Sequence, residues 1–193
     1  WLNHALRRPL THGHLGRSLR FYRNATVEQW ASAVVTNERA DAMAFASLLE
    51  AEGQPICLTR SLSVARSWIR DRVVADQRSG IIASGQARRL AAEGLFVELK
   101  PSITDWMLAP TSDIRSSNAL ETVQNQYQVQ GLELDYCLVC WDLDLRREAD
   151  TWSAHKLSGT RWARDKYLDV AKNGYRVLLT RARMGMVIFV PSG

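Results

Sequence analysis

The alternation of strand-like and helix-like segments constrains the fold of this chain more than any other feature of its sequence. Short apolar runs predict strands at 55–60, 80–84 and 94–99. Helices are predicted between them, one capped by Ser61 or Ser63 and one over 86–92. A strand–helix–strand–helix–strand order is typical of a parallel sheet covered by helices. The sequence therefore predicts an α/β fold.

The rest of the chain fits the same single domain of 193 residues. The remaining predicted elements are helices over 27–35 and about 38–51, a short helix in a loop over 100–118, strands from Thr122, a buried strand over 135–141 and a closing strand over 186–190. A charged segment over 143–160 is expected to leave the sheet. Residues 164–183 are expected to be mainly helical, with a break near Asn173 and Gly174. No apolar run is long enough for a membrane span, so we expect no membrane partner.

The positive charge is concentrated in one segment. The chain carries a net charge of +5, and residues 60–90 hold seven arginines against two acidic residues, which accounts for all of it. A local basic surface is typical of a protein that binds a phosphate-bearing partner such as nucleic acid. A solvated helix face is the alternative.

The three cysteines do not form a disulfide framework, which favours a reducing compartment, and we expect a cytoplasmic location. Cys137 and Cys140 lie three apart on a predicted buried strand, so their side chains should point to opposite faces of the sheet. They are interpreted as core residues, and no metal site is predicted.

The chain lacks the sequence motifs that a protein needs to hydrolyse a nucleotide without a second domain. There is no Gly-Lys dipeptide and hence no phosphate-binding loop, and no apolar run ends in Asp-Glu to hold Mg²⁺.

Two segments nevertheless have a specific character. In Gln-Val-Gln-Gly-Leu-Glu-Leu-Asp, Gly131 lets backbone amides approach a ligand beside Glu133. In Tyr-Arg-Val-Leu-Leu-Thr-Arg-Ala-Arg, a helix would place Arg176, Thr180 and Arg183 on one side and Arg181 elsewhere. Phosphate binding is one interpretation of these residues. A plain turn at the glycine and an ion pair from Glu133 to Arg176 or Arg181 is the other.

These two segments, some forty residues apart, resemble the last two signature motifs of superfamily 1 helicases. More narrowly, the chain is similar to the Schlafen group 3-like DNA/RNA helicase domain family. The resemblance also covers the segments 18–23, 56–61, 80–90, 113–117, 159–162 and 185–191.

The resemblance implies a RecA-like fold, with a mostly parallel sheet flanked by helices, and a division of labour between two such domains. ATP and Mg²⁺ bind between them, and the N-terminal domain supplies the phosphate loop. Residues 1–193 resemble the second motor domain alone, as a fragment of a longer chain. The full-length protein would be an ATP-dependent helicase or translocase, and this fragment alone would be inactive.

The resemblance also implies roles for individual residues. Arg181 would reach the γ-phosphate as an arginine finger. Gln130, Gly131 and Glu133 would meet the nucleotide, with Arg23 as a second phosphate sensor. Contacts to single-stranded DNA or RNA are expected from Arg60, Ser84, Arg88, Arg89 and Arg115.

Two other classes of protein remain open. A non-hydrolysing nucleic-acid-binding or regulatory module would keep the fold without turnover. A metal-dependent nuclease using Glu133, Asp135 and Lys156 is disfavoured, because Asp135 begins a buried strand. Geometry distinguishes motor from module: a motor should expose Arg181 and Glu133 at the carboxyl ends of strands, whereas a module should bury them in an ion pair.

Overall fold

A computed structural model describes residues 25–97, 99 and 101–192 of the chain. Its helices are α1 (Ala25–Thr36), α2 (Arg39–Ala51), α3 (Leu62–Arg70), α4 (Ile103–Leu108) and α5 (Leu168–Leu179), with short 3₁₀ helices at Arg88–Glu93 and Ser117–Ala119. Its strands are β1 (Ile56–Thr59), β2 (Ser79–Ala83), β3 (Val123–Asn125), β4 (Leu134–Cys140), β5 (Leu145–Glu148), β6 (Thr151–Ser158), β7 (Arg161–Arg164) and β8 (Ala182–Phe189).

Five strands form one parallel sheet in the order β1-β8-β4-β2-β3. Every strand of this sheet therefore begins at one edge, here called the amino edge, and ends at the opposite carboxyl edge. Helices cover both faces, as the alternating sequence pattern predicts. The architecture is α/β and consistent with a RecA-like fold, so the predicted fold class is confirmed.

Burial alternates along the central strand β4, because its two faces pack against different helices. Cys137 and Val139 belong to the core under α1, α2 and α5, whereas Leu138 and Cys140 belong to the core under α3. The prediction that the two cysteines face opposite sides is confirmed. Burial raises the pKa of both thiols, which keeps them protonated.

The segment 94–99 is not a strand, and this prediction was wrong. Leu95 and Val97 are buried and Phe96 is exposed, so the alternation that indicated a strand is present. The position beside β2 at the sheet edge is taken by β3, however. Leu95 instead donates its backbone N–H to the carbonyl of Leu90 at the end of the 3₁₀ helix.

The last helix is shorter than predicted and unbroken at Asn173 and Gly174. It ends at Leu179, so Arg183 belongs to β8 and does not share a helix face with Arg176. The segment after β4 leaves the main sheet, as predicted, and forms the antiparallel sheet β5-β6-β7.

Candidate nucleotide and nucleic-acid sites

The two sequence motifs meet at the amino edge of the sheet. Glu133 immediately precedes β4, Arg181 immediately precedes β8, and these strands are paired with Leu134 opposite Ala182. The backbone N–H of Leu134 donates to the carbonyl of Arg181 over 3.0 Å. The geometry expected of a motor, with both residues exposed at the carboxyl ends of strands, is not observed, because each motif comes before its strand.

Arg181 is buried, with 7% of its surface exposed, and its guanidinium binds backbone carbonyls. Its Nε donates to the carbonyl of Val177 over 2.9 Å, at the C-terminal end of α5, where a cation is favourable. Its Nη1 donates to the carbonyl of Leu132 over 3.1 Å and reaches that of Val129 at 3.5 Å. The side chain therefore ties the end of α5 to the turn before β4.

Arg183 and Glu133 form the accessible part of the same edge. Their side chains are about half exposed, and Nε of Arg183 lies 3.8 Å from Oε2 of Glu133. The carboxylate of Glu133 is thus beside a guanidinium, as one interpretation of the sequence predicted, but the guanidinium is that of Arg183.

Gly131 shapes the turn between these residues. Its φ of +93° is a conformation that side-chain-bearing residues rarely adopt. Among the described residues other than its two chain neighbours, none has an atom within 4 Å of where a Cβ would stand. Gln130 beside it is exposed. Arg23, the expected second phosphate sensor, lies outside the described residues.

Four of the five residues expected to bind nucleic acid lie at the carboxyl edge: Arg60 follows β1, the buried Ser84 follows β2, and Arg88 and Arg89 begin the 3₁₀ helix after Ser84. Two strands, β8 and β4, lie between β1 and β2. The guanidinium of Arg60 donates to the carbonyl of Pro191 over 3.1 Å. Nε of Arg89 donates to the buried Asp142 over 2.9 Å, whereas Arg88 is exposed. The charges of Arg60 and Arg89 thus also hold loops at this edge in place.

Arg115 lies apart from the other four. It pairs with Asp113 and Asp105 in the loop before β3, and the nearby Asn118 binds the first residue of β2, Ser79. These contacts place Arg115 toward the amino edge. The Arg115 guanidinium lowers the pKa of Asp113 to about 2 through hydrogen bonds to its carboxylate.

A buried polar cluster at the carboxyl edge was missed by the sequence analysis. Tyr175 of α5 donates its hydroxyl to Oδ1 of Asp144 over 2.6 Å and accepts the backbone N–H of Asp142. Burial raises the pKa of Asp144. Two aspartates directly after a buried parallel strand were the available signal, because such residues lie at the carboxyl edge.

The family model for the Schlafen group 3, DNA/RNA helicase domain matches residues 2–192. The chain belongs to this family. None of the curated proteins and none of the solved structures matches it. Membership gives this Schlafen group 3 domain a helicase-like function, with nucleotide binding and nucleic-acid interaction.

Residues 25–97, 99 and 101–192 contain neither a cluster of metal ligands nor a membrane-spanning helix. Among those residues, no group of three or more His, Cys, Asp or Glu side chains is placed to hold a metal ion. Within the same part, no helix has the length and apolarity needed to cross a membrane.

Proposed function

We propose that this domain is the second RecA-like half of an ATP-dependent DNA or RNA helicase or translocase. The observation that carries the proposal is the meeting of the two motifs at the amino edge, where Gly131 and Glu133 lie beside Arg181. An N-terminal RecA-like domain in a longer form of the chain would supply the phosphate loop, with ATP and Mg²⁺ bound between the two. We also propose a cytoplasmic location, which the three free cysteines support.

In the proposed nucleotide site, Arg181 acts as the arginine finger, and Gln130, Gly131 and Glu133 contact the nucleotide. The guanidinium of Arg181 already lies among carbonyl acceptors. Closure of the two domains on ATP would exchange some of these acceptors for phosphate oxygens, which stabilise the cation more strongly. Arg23 is proposed as the second phosphate contact.

In the proposed nucleic-acid site, Arg60, Ser84, Arg88 and Arg89 bind the backbone of a single strand at the carboxyl edge. Such contacts are independent of sequence and weaken with salt. Arg115 is proposed as a separate contact, outside this track, because it lies toward the other edge.

The test is ATP hydrolysis by the longer protein, with and without single-stranded DNA and RNA. Arg181→Ala should lower the nucleic-acid-stimulated rate by about 10³-fold or more, because a finger stabilises charge developing on the transferred phosphoryl group. Arg181→Lys keeps the charge but not the fork, so it should also be impaired. Arg39→Ala is the matched control, since Arg39 is an exposed arginine at the start of α2. An unchanged rate in folded Arg181→Ala protein would contradict the proposal.

The burial of Arg181 also favours a second candidate, a nucleic-acid-binding module that does not hydrolyse ATP. A guanidinium held by three carbonyls has a structural role without any nucleotide. In that case the longer protein would bind single strands in a salt-dependent manner and hydrolyse no ATP under any condition.

A further inference from the structure

A polar cavity lies at the carboxyl edge, between α5 and the loops that follow β2 and β3. Its volume is about 210 Å³, and its polar lining comes from Ser84, Gln86, Gln126, Asp144, His155 and Asp165. Sites for drug-sized ligands occupy about 300–1,000 Å³. This cavity therefore suits a single small ring system with polar edges.

The cavity wall is polar but unsuited to an anion. Two of its side chains, Asp144 and Asp165, are carboxyls, and carboxyls disfavour a phosphate inside the cavity. His155 is buried, its Nε2 lies 2.9 Å from Nη2 of Arg146, and its Nδ1 has no hydrogen-bond partner among the described residues. Donors and acceptors of this kind match the edge of a neutral heterocycle.

Two exposed tyrosines also line this cavity. Tyr127 is 65% exposed and Tyr167 is 58% exposed, and Nζ of Lys166 lies 5.1 Å from the ring centre of Tyr167. Exposed aromatic rings give successive bases of a single strand a surface on which to stack.

The cavity adjoins the proposed nucleic-acid track. Ser84 belongs to both, and Gln86 precedes Arg88 by two residues. Arg88 and Arg89 therefore belong to the same short segment that contributes Ser84 and Gln86 to the cavity.

Gly174 keeps the space beside α5 open. A Cβ at this position would lie 3.6 Å from the Gln126 side chain, and the residue lines both this cavity and an adjoining one that reaches Gln130. Glycine within a helix is less favourable than alanine. Its presence here gives space at the expense of helix stability.

We propose that this cavity binds an unpaired nucleobase of single-stranded DNA or RNA, stacked against Tyr167. The inference rests on the proposed nucleic-acid function and adds base recognition to a contact that otherwise involves only the backbone.

The test compares binding of fluorescent oligothymidine, oligouridine and an abasic strand of equal length to the 193-residue chain. Wild-type protein should bind the base-containing strands more tightly. Tyr167→Ala should weaken binding of those strands by about 5- to 150-fold, the usual effect of losing one base–aromatic stack, and leave the abasic strand unaffected. Tyr167→Phe keeps the ring and should keep the affinity. Gly174→Ala should preserve or raise the melting temperature and should weaken the binding of the base-containing strands only.

The outcomes separate this inference from the proposed function. Equal binding of all strands, with Arg88→Ala weakening each of them, would overturn the base cavity and leave the backbone contact standing. Absence of binding to any strand would overturn both. Competition by free thymidine at the concentrations at which the strand binds would assign the cavity to a soluble nucleoside and overturn the assignment to a strand.

Discussion

At the scale of single residues, Arg181 and Arg183 have opposite characters although they are two positions apart. Arg181 is buried against carbonyls, and Arg183 is half exposed beside Glu133. Arg181→Ala should lower the free energy of unfolding by about 1–3 kcal/mol, because it leaves buried acceptors without donors. Arg183→Ala should change it by less than about 1 kcal/mol, since exposed ion pairs contribute little. Urea unfolding of the 193-residue chain measures both, and equal effects would contradict the assignment.

Replacing a glycine by alanine should change the stability of the fold in opposite directions at Gly131 and Gly174. Gly131→Ala should destabilise the fold by about 1 kcal/mol or more, because φ of +93° strains any residue with a Cβ. Gly174→Ala lies within α5 and should stabilise it by up to about 1 kcal/mol, because the added Cβ would stand at an ordinary contact distance of 3.6 Å from the Gln126 side chain. Thermal unfolding followed by circular dichroism tests the pair, and destabilisation of the same size in both would refute it.

At the scale of elements, hydrogen bonds hold α5 against both edges of the main sheet. Tyr175 binds Asp144 near the carboxyl edge, and Arg181 binds the carbonyl of Val177 at the amino edge. Because burial raises the pKa of Asp144, the folded state holds this proton more tightly than the unfolded state does. The wild-type protein should therefore lose stability as pH rises from about 3.8 through the raised pKa. Asp144→Asn lacks this loss, so its stability relative to wild type should grow across that window and then stay constant.

Asp113 is the control, because its pKa is shifted in the direction opposite to that of Asp144. Its pKa is lowered to about 2, so its ionised form favours the folded state above the ordinary pKa. That contribution disappears as pH falls through about 2. Asp113→Asn should therefore differ from wild type above pH 3.8 and converge with it in acid. Unfolding curves measured over this pH range compare both variants, and parallel curves for Asp144→Asn and wild type would contradict the buried-carboxyl explanation.

At the scale of the whole molecule, the proposed nucleotide site lies at the amino edge of the sheet and the proposed nucleic-acid site at the carboxyl edge. Arg88→Ala at the carboxyl edge should reduce the slope of log affinity against log salt by about one for single-stranded DNA. Arg72→Ala is the control, because Arg72 follows the end of α3 farthest from that edge and packs over Trp68. Fluorescence anisotropy at several salt concentrations gives both slopes, and an equal reduction would show that the track does not lie where we propose.

The amino-acid sequence was sufficient to predict the alternation of strands and helices, the parallel main sheet and the opposite orientation of Cys137 and Cys140. These properties depend on the spacing of apolar residues and on local chain geometry, and both can be obtained from neighbouring positions. The amino-edge position of Glu133 and Arg181 was also available, since each precedes its own strand. The strand wrongly predicted at 94–99 has the alternation of buried and exposed side chains that is typical of a strand. The position beside β2 is occupied by β3 instead.

The folded structure was needed to show that Arg181 is buried, that Arg183 is the exposed guanidinium beside Glu133, and that Arg115 lies apart from Arg60, Arg88 and Arg89. It alone revealed the polar cavity, whose lining comes from the segments after β2, β3, β4 and β7, from β6, and from α5. The physical reason is that the burial and the hydrogen-bond partners of a side chain depend on neighbours that are distant in sequence. Local spacing carries no information about those neighbours.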